Sequence, residues 1–119
     1  MPLKGLDHVT VNCADLARSR AFYAQVLGLI DGKRPPFPFP GAWLYAGDRP
    51  VVHLVGDAKG GPTGSFDHVA FEASDFPAVR DRLVTLGIEF QENTFAAAGL
   101  TQIFLRDPDG VKLELNFRD

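Results

Sequence analysis

Gly5-Leu6-Asp7-His8-Val9, near the start of the chain, returns sixty residues later as Ser65-Phe66-Asp67-His68-Val69. Each copy is followed by an aspartate, Asp15 or Asp75, and these two residues are again sixty positions apart. A fixed offset of this kind is the sequence signature of a repeated structural unit. We therefore divide the 119-residue chain into two related halves, residues 1–56 and 65–119, joined by a glycine-rich linker that we expect to be flexible.

The apolar pattern predicts the same order of elements in both halves, a strand followed by a helix and three strands. The aspartates are plausible helix N-caps, and Gly28 and Gly87 follow the last apolar residue of each helical stretch. The predicted strands cover residues 6–11, 29–31, 42–46 and 50–55, and then 66–72, 88–92, 101–106 and 111–117. The predicted fold class is α+β, a single domain of two βαβββ units.

Composition excludes several classes of function. The chain carries 12 basic and 15 acidic residues, a formal net charge of −3, which disfavours a nucleic-acid or anionic-membrane partner. No apolar stretch approaches the ~20 residues of a membrane span. Cys13 is the only cysteine, so an intrachain disulfide is impossible and a reducing, cytoplasmic location is expected.

Four polar residues lie in the middle of predicted strands: His8, His53, His68 and Glu114. Because strand side chains alternate between faces, three of them share the mixed face of their strand, opposite an apolar face that must meet a helix. The orientation of His53 rests on the repeat, since it precedes Glu114 by 61 residues. Pairing the two units would bring these faces together, and imidazole and carboxylate donors suit Zn, Ni, Fe or Mn. The sequence therefore predicts one divalent metal ion.

The segment 33–41 breaks the symmetry of the halves. Its four prolines cannot belong to a central strand, so we expect an extended loop. Aromatic residues in and near it favour the rim of a pocket, although such residues are more often plain core. The candidate pocket residues for a small-molecule substrate are Thr10, Phe37, Phe39, Trp43 and Phe95.

The segments 5–11, 21–29, 67–71, 104–110 and 113–115 resemble the vicinal-oxygen-chelate superfamily, which includes glyoxalase I, fosfomycin-resistance proteins, extradiol dioxygenases and bleomycin-resistance proteins. The resemblance covers the whole chain. It implies paired βαβββ modules that form a cup-shaped mixed sheet around a divalent metal, and a homodimer whose sites are often shared between subunits. Carried over residue by residue, it implies the ligands His8, His53, His68 and Glu114.

The resemblance leaves the reaction open. Glyoxalase I has a glutamate where this chain has His53, which argues against orthodox glyoxalase I activity. The favoured interpretation is a metal-dependent lyase or isomerase that binds a substrate through vicinal oxygens and stabilises an enolate-like or oxyanionic intermediate, with His53 and Glu114 as catalytic candidates.

Three alternatives remain. If His53 lies outside the ligand set, two histidines and one carboxylate resemble the site of an extradiol Fe(II) dioxygenase. A non-catalytic, bleomycin-resistance-like protein that sequesters a ligand is another, although that group generally lacks metal ligands. The third is a fosfomycin-resistance protein, because Thr10 matches the H-x-T spacing of that group. Residues 90–94, however, offer none of the fixed cations that a phosphonate requires.

Overall fold

The structure, a computed structural model, describes residues 2–118. It divides into two compact units, Met1–Gly61 and Pro62–Asp119, which we call module 1 and module 2. Each module contains one helix and one four-stranded sheet in the order βαβββ. The predicted α+β class and the predicted order of elements are therefore confirmed.

Both modules build a mixed sheet with the same topology. In module 1 the strand order is β1-β4-β3-β2, with β1 parallel to β4 and the other pairs antiparallel. In module 2 the order is β5-β8-β7-β6, again with only the first pair parallel. The elements of module 1 are β1 Val9–Asn12, α1 Leu16–Leu27, β2 Ile30–Gly32, β3 Gly41–Ala46 and β4 Arg49–Val55. Those of module 2 are β5 Val69–Ala73, α2 Phe76–Thr85, β6 Gln91–Phe95, a 3-10 turn Ala96–Ala98, β7 Leu100–Arg106 and β8 Lys112–Phe117.

The two helices begin at the predicted aspartates. The side chain of Asp15 accepts a hydrogen bond from the backbone N–H of Arg18 at 3.1 Å, and Asp75 accepts one from Ala78 at 3.3 Å. These bonds satisfy backbone donors that a helix N-terminus leaves without a partner. At the other end of α1, Gly28 has φ +71°, a conformation that a residue with a side chain rarely adopts.

Each sheet buries one face and leaves the other more open. In β4, Val52 and Leu54 are buried and His53 between them is half-buried, as strand alternation requires. In module 1, α1 packs against β3 and β4 and buries Tyr23 and Val26. The core of module 2 is formed by Leu83, Ile103, Leu105, Leu113, Leu115 and Phe117. The more open faces are where the candidate site residues lie.

Two boundary predictions are wrong. His8 and His68 do not lie within strands, because β1 begins at Val9 and β5 at Val69. The carbonyl of Leu6 accepts a hydrogen bond from the guanidinium of Arg49 at 3.2 Å, and the backbone N–H of Phe66 donates to the carbonyl of Thr63 at 3.3 Å. These backbone groups are thus used outside the parallel ladders, whose first pairs are Val9 with Val52 and Val69 with Leu113.

The strand β6 begins three residues later than predicted, at Gln91 instead of residue 88. The N–H of Ile88 donates to the carbonyl of Leu83 at 3.0 Å, and Gly87 has φ +70°. Residues 87 and 88 thus terminate α2 and are not available to the sheet. Within residues 2–118 no helix has the length and apolarity needed to cross a membrane.

Candidate functional site

In module 2 the structure brings His68 and Glu114 together. Nε2 of His68 lies 3.0 Å from Oε1 of Glu114. His68 directly precedes β5, and Glu114 lies in the neighbouring strand β8 as the register partner of Ala70. The parallel pairing of β5 and β8 therefore sets this contact.

Each partner of that pair is held on its other side. Nδ1 of His68 lies 2.7 Å from Oδ2 of Asp67, and the ammonium group of Lys112 lies 3.3 Å from the same oxygen. Glu114 is buried, with 10% of its side chain exposed, and its Oε2 accepts a hydrogen bond from Nε2 of Gln102 at 3.3 Å. A buried carboxylate needs such partners because burial without them is costly.

In module 1 His8 and His53 come together as stacked rings. Their centroids are 3.7 Å apart and the planes differ by 12°, and the other face of His53 stacks on Trp43 at 4.1 Å, again at 12°. Cross-strand pairing places Trp43 and His53 side by side on β3 and β4. Nε2 of His53 lies 3.1 Å from the carbonyl oxygen of Pro50, which favours the tautomer that carries its proton on Nε2.

The Asp–His contact of module 2 recurs in module 1. Nδ1 of His8 lies 2.7 Å from Oδ2 of Asp7, the same distance as between His68 and Asp67. An aspartate that accepts from Nδ1–H leaves the lone pair of the neutral ring on Nε2 and fixes the orientation of the ring. In its neutral form, each of the two rings therefore has Nε2 as the atom that can bind a metal ion.

Three pKa values are shifted around these residues. The hydrogen bond from His8 lowers the pKa of Asp7, and the hydrogen bonds from His68 and Lys112 lower that of Asp67. Burial, and then the proximity of His8, lower the pKa of His53 from its usual 6.5. His53 is thus neutral at pH 7, and both aspartates are ionised.

The pair in module 2 has the chemistry and spacing of two metal ligands. With bonds of about 2.1 Å, donors about 3 Å apart subtend an angle of roughly 90° at a metal ion. The stacked histidines of module 1 fit one ion less well, because lone pairs lie in the ring planes and nearly parallel planes do not converge on a common point. Within residues 2–118 no three His, Cys, Asp or Glu side chains are grouped to hold a metal. Each module thus contains one pair of candidate residues.

Four of the five candidate pocket residues lie in module 1. Thr10 is exposed and is the register partner of His53. The ring of Phe37 is 6.4 Å from that of Trp43 and stacks on Phe39 at 5.4 Å. These aromatic residues extend the His53–Trp43 stack toward the loop 33–40. Phe95, at the end of the edge strand β6 in module 2, is 52% exposed.

Three residues that support the site, Asp7, Asp67 and Gln102, were not predicted from the sequence. Asp7 and Asp67 belong to the repeated stretch itself, so their recurrence beside each histidine was a signal available in the sequence. Gln102 carried no comparable signal, because its contact with Glu114 depends on the register of β7 against β8. Side-chain networks of this kind follow from strand pairing, which a single sequence does not specify.

Comparisons with known proteins agree with this architecture. A family model described as the glyoxalase/bleomycin resistance protein/dioxygenase superfamily matches residues 5–115. The chain is 31% identical over 123 residues to glyoxylase I 4 of Arabidopsis thaliana, covering 95% of this chain and 70% of that protein. It is 32% identical over 119 residues to glutathione transferase FosA of Serratia marcescens, covering 96% and 81%. A fosfomycin resistance protein from Listeria monocytogenes, solved with Mn(II) and a dihydroxypropylphosphonic acid, has a TM-score of 0.80 at 17% identity, covering 98% and 94%.

Proposed function

Because the chain belongs to the glyoxalase/bleomycin resistance protein/dioxygenase superfamily, we propose that it is a metal-dependent enzyme of the glyoxalase type, a lyase or isomerase. Its substrate is a small molecule that presents two adjacent oxygen atoms. Relatives named as glyoxylase I and glutathione transferase support enzyme activity at the level of the family.

The observation that carries the proposal is the pair formed by His68 and Glu114. Nε2 and Oε1 lie 3.0 Å apart, and each side chain has a further partner that orients it. We propose that these two atoms and Nε2 of His8 hold one divalent ion, with Zn, Ni, Fe or Mn compatible with the nitrogen and oxygen donors. A divalent site takes three or four protein ligands, so the pair needs at least one further donor, for which His8 is our candidate, in the same chain or in the partner of a homodimer.

We assign His53 to the same centre, as an acid–base group in preference to a fourth ligand. It stacks on His8 with nearly parallel rings, an arrangement that does not aim both lone pairs at one ion. Its lowered pKa keeps the ring neutral, and the contact of Nε2 with Pro50 leaves the lone pair on Nδ1. Nδ1 of His53 can therefore accept a proton from a substrate, the role that general acid–base catalysis requires.

Glu114 is the second acid–base candidate, because a carboxylate beside the reacting atoms can accept a proton. A bound divalent ion supplies Lewis acidity, which stabilises negative charge on the substrate oxygens. The residues Thr10, Phe37, Phe39, Trp43 and Phe95 remain our proposed lining of the substrate pocket. The apolar rings among them exclude water and strengthen electrostatic interactions beside the reacting atoms.

The stacking of His53 on His8 also favours a second function. Because this stacking argues against His53 as a ligand, His8, His68 and Glu114 form the two-histidine, one-carboxylate set of non-haem Fe(II) oxygenases. An extradiol-type dioxygenase is therefore the alternative, and it would require iron and consume oxygen with a catechol. A ligand-sequestering protein would instead purify without stoichiometric metal.

The experiment combines elemental analysis of the purified protein with activity after loading Zn, Ni, Mn or Fe(II). Substrates are the glyoxalase I substrate, a panel of α-hydroxycarbonyl compounds, and catechols under oxygen. The variant Glu114→Gln is compared with Glu72→Gln, which alters an exposed glutamate of the same module. We expect stoichiometric metal and activity in wild type and Glu72→Gln, and loss of both in Glu114→Gln. A wild-type protein that retains none of the four metals would contradict the proposal.

A further inference from the structure

We propose that Gln102 is a positioning residue that makes Glu114 a ligand through one oxygen only. Gln102 holds Oε2, so that Oε1 alone is presented beside His68. The inference rests on the proposed function and names a residue outside the ligand set.

The contact follows from the register of the sheet. Gln102 in β7 pairs with Asn116 in β8, and Glu114 lies two positions from Asn116 on the same face. Nε2 of Gln102 is 3.3 Å from Oε2 of Glu114 and 3.2 Å from Oδ1 of Asn116. A carboxylate accepts but cannot donate, so the amide nitrogen must face it, and the two N–H groups of that nitrogen serve these two acceptors.

The contact with Gln102 matters because Glu114 is buried. The residue is only 7% exposed, so little water can replace a missing donor at Oε2. Without Gln102, the carboxylate could turn and bring both oxygens to one cation. With Gln102 in place, Oε2 is occupied and the atom that faces His68 is fixed. Partners of this kind orient ligands, and their loss costs ~10–100-fold in metal affinity.

The test compares wild type with Gln102→Met, which keeps the length of the side chain and removes the donor. The control Asn116→Val removes the other acceptor and leaves the contact with Glu114. Affinity for Mn²⁺ and Zn²⁺ is measured by competition with a chelator. The infrared difference spectrum on metal binding reports the coordination mode, because the two carboxylate stretches are further apart for a carboxylate bound through one oxygen.

We expect Gln102→Met to lose at least about tenfold in affinity and to narrow the separation of the carboxylate stretches. Asn116→Val should leave the metal affinity and the separation of the carboxylate stretches close to those of wild type. If Gln102→Met does not fold, Gln102→Asn, whose amide is one methylene too short to reach, is measured in its place.

The outcomes separate this inference from the proposed function. Metal binding by wild type that Glu114→Gln abolishes but Gln102→Met leaves unchanged overturns only the role of Gln102. Equal losses of metal affinity in Gln102→Met and Asn116→Val overturn the role of Gln102 as well, because any change in this part of the sheet would then weaken metal binding. A wild-type protein that binds no metal overturns the inference together with the proposed function.

Discussion

Replacing His53 with phenylalanine separates its stacking from its nitrogen chemistry. The ring of His53 lies between His8 at 3.7 Å and Trp43 at 4.1 Å, and a phenyl ring can occupy the same layer. Aromatic pairs contribute about 0.5–1.5 kcal/mol each beyond their buried area, so His53→Ala forfeits about 1–3 kcal/mol from the two faces. His53→Phe keeps these contacts and loses the contact with Pro50, worth about 0.5–1.5 kcal/mol.

The two possible roles of His53, acid–base group or metal ligand, predict different effects on metal affinity and turnover. If His53 is an acid–base group, His53→Phe should change metal affinity by less than about tenfold, less than the ~10–100-fold cost of losing a residue that orients a ligand. Turnover should fall by about 10²–10⁴-fold, the usual contribution of a positioned acid or base. The same substitution at a proposed ligand, His68→Phe, should abolish metal retention.

The assay combines three measurements on each variant: chelator competition for metal affinity, turnover of the metal-loaded protein, and unfolding in urea for stability. The unfolding free energy should rank wild type first, His53→Phe second and His53→Ala third. If His53→Phe loses metal to the same extent as His68→Phe, His53 is a ligand and the reasoning from the stacked rings is refuted. Unchanged turnover with unchanged affinity would remove His53 from the chemistry altogether.

Four further predictions concern acidity, the metal and the core. Metal affinity should fall as the pH drops through about 6.5, since protonated imidazole cannot bind a cation, and a flat profile from about pH 5 to 8 would count against the site. Because burial lowers the pKa of His53, the stability that this residue contributes to the metal-free protein is complete above about 6.5 and is lost as the pH falls through its folded pKa; urea titrations at several pH values, with His53→Phe as reference, measure this loss. Chelation with EDTA should lower the melting temperature and added metal should restore it, because only the folded state assembles the ligands; equal melting temperatures would mean no such linkage. Leu113→Ala, at a position with 0% exposure, should cost about 2.7–5 kcal/mol of unfolding free energy in urea, and a cost under ~1 kcal/mol would contradict the burial.

The repeat made the fold predictable, whereas strand pairing determined the strand boundaries that could not be predicted from the sequence. The recurrence of Asp–His and of the capping aspartates predicted two βαβββ units because helix caps and apolar periods are local signals. The start of β1 after His8 could not be read in this way, since it depends on contacts that form only when β4 lies beside β1. Arg49 was visible in the sequence, but its hydrogen bond to the carbonyl of Leu6 is specified only by the fold.

The same distinction, between local sequence signals and contacts set by strand pairing, applies to the candidate site. His8, His53, His68 and Glu114 were identified by residue type and repeat position, and the structure groups them as two pairs. Whether His53 presents a lone pair to the same ion as His8 depends on the stacking of these two rings, whose geometry a linear pattern cannot encode. Gln102 was not predicted because its contact with Glu114 runs diagonally between the neighbouring strands β7 and β8, and therefore depends on their register.

The position of Asp7 next to His8, and of Asp67 next to His68, also bears on how such a centre can originate and persist. One peptide bond separates each carboxylate from the imidazole that it orients, so insertions in loops elsewhere cannot pull the two apart. Copying a segment of a few codons copies a histidine together with the carboxylate that orients it. Gene duplication therefore yields two oriented histidines at once. Divergence is then free to alter the remaining partners, as the lysine beside Asp67 already shows.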